Sequence, residues 1–90
     1  MGDCVRIYEL KQKEVINIKD GCRFGFACDV IIDVDDGEIT HIIVPGPGKV
    51  FGVLGREKEY KIPWGDVKQV GEDIILVSCE TAKVFVDCEF

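Results

Sequence analysis

Five cysteines and a single histidine are the side chains with the widest chemical reach in this chain of 90 residues. A thiolate can attack a carbon or hold a metal, and an imidazole can take its proton. A structural zinc site draws its ligands from close Cys pairs helped by His. Here Cys4, Cys22, Cys28, Cys79 and Cys88 are odd in number, no two stand at a CxxC spacing, and His41 is the one imidazole. Cys28 and Cys79 sit inside apolar runs, where a reduced cysteine behaves as a small hydrophobe. The expectation is therefore reduced, buried thiols with no metal and no cofactor. The competing use is a thiol- or metal-dependent regulator built on Cys22, Cys28 and His41. A Cys–His dyad needs both groups within hydrogen-bond reach, and no oxyanion hole is nominated beside it. His41, set among Ile39, Ile42 and Ile43, reads as structural.

Two further motifs fail on spacing. Asp33-Val34-Asp35-Asp36-Gly37 has the acids of a calcium loop, but its glycine comes one place early and Val44 stands where the closing Glu is needed. A hairpin turn explains the same residues. Gly46-Pro47-Gly48-Lys49 lacks both the glycine spacing of a phosphate loop and the Ser or Thr after the lysine. No H-E-x-x-H or G-x-S-x-G occurs. A chain this small without such a set is expected to bind rather than catalyse.

The binding residues are nominated by Val44 to Glu57. Gly46, Pro47, Gly48, Gly52 and Gly55 interrupt regular structure here, while Val50, Phe51, Val53 and Leu54 are apolar. A loop with four apolar side chains either folds them onto the core or presents them to a partner. The site expected from this pattern is Val50, Phe51, Val53 and Leu54, with Arg56 at its rim, facing an unknown protein. This loop and the C-terminal strand are also the surfaces expected to support a homodimer.

Short strands must position that loop. Val15–Ile18 leads through Lys19-Asp20-Gly21 into Cys22–Phe26, a hairpin signal. In Cys28–Val34, alternation puts Cys28, Val30, Ile32 and Val34 on a core face. Asp35-Asp36-Gly37 turns the chain into Glu38–Val44, and Glu59–Trp64 follows the loop. Pro63 marks an edge or strand end. Trp64–Val70 fits a short strand or one helical turn, and Gly71-Glu72-Asp73 leads into the apolar run Ile74–Ser78. A helical turn is expected around Tyr8–Lys13. The predicted interior is Val30, Ile32, Ile42, Val44, Ile62, Trp64, Ile74 and Leu76. From Glu80 onward, Val84, Val86, Cys88 and Phe90 alternate with polar or aromatic neighbours, which suits an extra docked strand. These signals predict an all-β barrel of about six short strands with little helix.

Composition narrows the partners. A net charge of −6 with scattered basic residues argues against direct nucleic-acid binding. No apolar run is long enough to span a bilayer, and Met1-Gly2-Asp3-Cys4 lacks the charged-then-apolar pattern of a secreted precursor. A cytoplasmic location is expected.

The chain resembles the PRC-barrel superfamily, and within it the YlmC/YmxH family of sporulation-associated proteins from spore-forming Firmicutes. The resemblance rests on Arg6-Ile7-Tyr8-Glu9-Leu10, Asp20-Gly21-Cys22-Arg23-Phe24-Gly25 and Asp29-Val30-Ile31-Ile32-Asp33. It continues through Ile43-Val44-Pro45-Gly46-Pro47-Gly48, Gly55-Arg56-Glu57, Ile62-Pro63-Trp64 and Val70–Val77. It implies a PRC-barrel domain over 1–78 with a C-terminal extension over 79–90. Wider relatives, the cytoplasmic domain of the photosynthetic reaction-centre H subunit and the C-terminal domain of the ribosome maturation factor RimM, are docking modules. By that analogy the chain is a non-enzymatic adaptor. A second role implied by the RimM likeness is a ribosome or RNA-processing accessory acting through a protein partner.

Overall fold

The computed structural model describes residues 5–46 and 58–87. The chain opens with the helical turn α1 (Ile7–Leu10), where Glu9 Oε1 accepts the Arg6 N–H at 3.1 Å. Eight strands follow among the described residues: β1 (Glu14–Asn17), β2 (Arg23–Phe26), β3 (Asp29–Asp33), β4 (Glu38–Pro45), β5 (Lys58–Pro63), β6 (Val67–Val70), β7 (Ile74–Val77) and β8 (Phe85–Asp87). A 3-10 turn, Trp64–Asp66, precedes β6, and a second helical turn, α2 (Thr81–Val84), precedes β8. The all-β class is as expected. The strand count exceeds six because Val67–Val70, left open between strand and helical turn, and the tail, expected as an extra docked strand, both form strands.

The strands form two four-stranded sheets, ordered β2-β1-β7-β6 and β3-β4-β5-β8. All neighbours are antiparallel except β1 and β7, which run parallel with Val15 beside Ile75 and Asn17 beside Val77. Turn chemistry sets the hairpins. Gly21 (φ 75°) and Gly37 (φ 74°) take left-handed angles that a Cβ disfavours. Asp20 Oδ1 accepts the Cys22 N–H, while Asp33 Oδ1 and Asp36 Oδ1 accept the N–H groups of Asp35 and Glu38. The acids that resemble a calcium loop thus hold the β3–β4 turn.

One core lies between the sheets. Val15, Ile75 and Val77 from the first meet Ile42, Val44 and Ile62 from the second, all with no exposed surface. Leu10, Phe24, Ala27, Cys79 and Val84 complete the cluster. Four expectations about the interior are corrected. Ile32 is 43% exposed because a bulge around Thr40 makes Ile31 face His41 but Ile32 face Ile39, and the alternation ends there. Val34 and Cys28, placed on the same core face from the sequence, are exposed, since they lie outside β3. Trp64 is turned outward by the 3-10 geometry that starts at Pro63. In β7 the buried residues are Ile75 and Val77, while Ile74 and Leu76 are only half-buried. Four consecutive apolar residues carry no alternation, so pairing with β1 chose the face.

Candidate interaction surfaces

Residues 47–57 carry the predicted site, Val50, Phe51, Val53, Leu54 and Arg56, and lie outside the described residues. Their attachment points are well defined. The loop leaves at Gly46 and returns at Lys58, and the Gly46 N–H donates to the Lys58 carbonyl at 3.0 Å. A Cβ on Gly46 would stand 2.7 Å from that oxygen and 2.9 Å from Phe85 Cε1. Glycine is required here by close approach rather than by backbone angle.

Beneath the root, Phe24 stacks on Tyr60 with ring centroids 4.3 Å apart, and Tyr60 meets Phe85 at 4.9 Å. The three rings come from β2, β5 and β8, so they tie both sheets and the tail to the loop's base. The Lys58 ammonium lies 5.4 Å from the Phe85 ring centre, within cation–π range. Alongside, the Cys28 N–H donates to the Ile43 carbonyl at 2.8 Å, and Phe26, two residues earlier, is 56% exposed.

The tail is fastened by Asn17, a fully buried polar residue. Its Oδ1 accepts the N–H groups of Cys79 and Lys19, and its Nδ2 donates to the Cys79 carbonyl and to Thr81 Oγ1. Thr81 donates in turn to Asp20 Oδ2 at 2.8 Å, and Lys19 pairs with Glu80 at 2.5 Å. The bond to the Cys22 N–H, then that to Thr81, holds the Asp20 carboxyl below its ordinary value. The sequence offered Asn17 only as a strand residue. Its polarity at an inward position, two residues after buried Val15, was the available signal.

The cysteines differ in setting. Cys22 is half-buried, Cys28 exposed and Cys79 buried, all as free thiols. Burial raises the Cys28 thiol, with Asp29 and Glu59 adding to it, so exposure does not make it a ready thiolate. Burial pushes Cys79 up to about 11, with Asp66 and Asp20 contributing. His41 Nδ1 lies 3.0 Å from Thr40 Oγ1, and burial followed by Lys61 lowers its pKa. Among the described residues, no group of three His, Cys, Asp or Glu side chains is placed to hold a metal.

Cys79 gives a signed pH expectation. Below its ordinary value of 9 the folded and unfolded chains both carry the thiol proton. Between 9 and about 11 the unfolded chain releases it and the folded chain keeps it, so stability from this group falls as pH rises. The stability difference between wild type and Cys79→Ala, taken from urea midpoints, should shrink across that window. A constant difference would show that Cys79 is not held protonated by the fold.

Two sheets packed around a single core define a small all-β domain of barrel type. The PRC-barrel domain model matches residues 3–79, and the chain belongs to that family. It is 42% identical over 73 residues to the probable sporulation protein YlmC of Bacillus subtilis, covering 81% of this chain and 90% of the relative. It is 32% identical over 75 residues to the uncharacterized protein YmxH of the same organism, covering 81% and 87%. An uncharacterized protein of Clostridium acetobutylicum matches at 36% over 72 residues, covering 80% and 82%. Among the described residues, no helix is long and apolar enough to cross a membrane.

Proposed function

We propose that the chain is a non-enzymatic protein-interaction module associated with sporulation, acting in the cytoplasm and holding a protein partner on the loop between β4 and β5. The observation that carries this reading is the loop's root. Gly46, just past β4, with Lys58 and the Phe24–Tyr60–Phe85 stack from β2, β5 and β8, forms a base for the loop. Binding residues mounted on a packed base lose less freedom on docking. The sporulation association is drawn from the name of YlmC and the 42% identity. The net charge of −6 favours a protein over a nucleic acid as partner.

The double variant Phe51→Ser/Leu54→Ser tests it. With the chain as bait in lysate from sporulating cells, proteins held by the wild type should be lost by the variant. Its thermal midpoint should stay within about 3 °C of wild type, a shift below that of 1 kcal/mol in a domain this small. Unfolding of the variant, with retained binding that tracks the folded fraction, would make the loop part of the core instead.

A further inference from the structure

The outward face of the second sheet carries a further surface among the described residues. Directly paired residues of antiparallel strands share a face. Ile31, His41 and Pro63 therefore form one row, and Asp29, the buried Ile43 and Lys61 the next, pointing away from Ile42, Val44 and Ile62. Along this face, beside α2, runs an open groove of about 510 Å³ whose lining includes Lys19, His41, Lys61, Pro63, Lys83 and Val86. Asp66 and Glu80 also line it. Lys19 and Glu80 neutralise each other, which leaves Lys61 and Lys83 against Asp66. The groove is thus locally basic in a chain of net charge −6.

The complementary shape lies on the same sheet. The β3–β4 turn holds Asp33, Asp35, Asp36 and Glu38, and no basic residue occurs between Asp29 and Thr40. At its tip Val34 is 88% exposed, the most exposed large hydrophobic residue among those described, with Ile32 at 43% behind it. Glu38 stands three residues along β4 from His41, which is about 10 Å at ~3.4 Å per residue. The turn cannot fold back into its own groove. Its strands are paired, Asp33 and Asp36 lock its backbone, and Thr40 Oγ1 donates to the Ile31 carbonyl at 3.3 Å. A second molecule can bring its β3–β4 turn to Lys61.

We infer that two copies of this chain associate through this face, the acidic β3–β4 turn of each seated in the basic groove of the other. Turn and groove are neighbours on one face, so a two-fold axis makes the contact twice and closes the assembly. Val34 supplies the apolar anchor and the Asp residues meet Lys61 and Lys83.

Sedimentation velocity on the full chain, at about 50 mM and about 500 mM salt, reads the association while the Debye length falls from ~14 to ~4 Å. The wild type should form a dimer that weakens with salt. Asp35→Lys and Lys61→Glu, each alone, should raise the dimer dissociation constant about tenfold or more. An equimolar mixture of the two variants should restore the dimer, because every acidic turn then faces a basic groove or the reverse. Val34→Ser should weaken it without altering the salt dependence. A wild type that stays monomeric at millimolar concentration overturns the inference and leaves the groove to an acidic segment of another protein. So does a dimer indifferent to both charge reversals, or single variants that dissociate but fail to complement each other.

Discussion

Asn17→Ala should lower stability by about 2–5 kcal/mol, read as a fall in the urea midpoint. The residue is fully buried, and its amide pairs with both the N–H and the carbonyl of Cys79. Alanine leaves those two backbone groups without their partner, and each buried polar group so orphaned costs about 1–3 kcal/mol. The loss should spread to the tail, because Thr81 and Cys79 are the points at which α2 and β8 are fastened to β1. Asn17→Asp should be no milder at neutral pH. It keeps an acceptor for the Lys19 and Cys79 N–H groups, but removes both donors and buries a charge. An unchanged midpoint in the alanine variant would mean that water replaces the amide and the pin is dispensable.

Ile75→Ala should cost about 2–5 kcal/mol, while Ile32→Ala should cost under about 1 kcal/mol. Ile75 has no exposed surface and sits in β7 between β1 and β6, facing the second sheet's core residues. Ile32 is 43% exposed near the end of β3, where the surroundings can relax into the space vacated. Paired urea titrations of the two variants give the comparison directly. Equal costs, or the reverse order, would mean that the inward faces of β3 and β7 are assigned wrongly.

The same pair of residues shows what the sequence could reveal. Alternating positions Ile42, Val44 and Ile62 marked the second sheet's inner face, and all three are fully buried. The hairpin turns were legible because Gly21 and Gly37 are needed for their backbone angles. Ile75 was hidden in a run of four apolar residues, where only a partner strand decides which side is in. Ile32 was misplaced by a bulge that depends on its partner strand β4. At the candidate sites, glycine spacing nominated the loop over residues 47–57, which lies outside the described residues, whereas the groove could not be foreseen. It gathers Lys19, His41, Lys61 and Lys83 from four distant stretches of chain, and spacing carries no information about such a meeting.

The parallel pairing of β1 with β7 has a consequence for how this domain comes into being. Its two strands are separated by more than half the chain, and every antiparallel hairpin of the second sheet lies between them. Closing so large a segment is entropically expensive before any contact rewards it, so assembly is expected to be slow for a domain of this size. During synthesis, the Glu14–Asn17 stretch must wait, with one edge unsatisfied, until Ile74–Val77 is available. The second sheet's β3–β4–β5 meander can form first. The seam between β1 and β7 is where the nascent chain stays open longest, and where a chaperone would find its exposed edge.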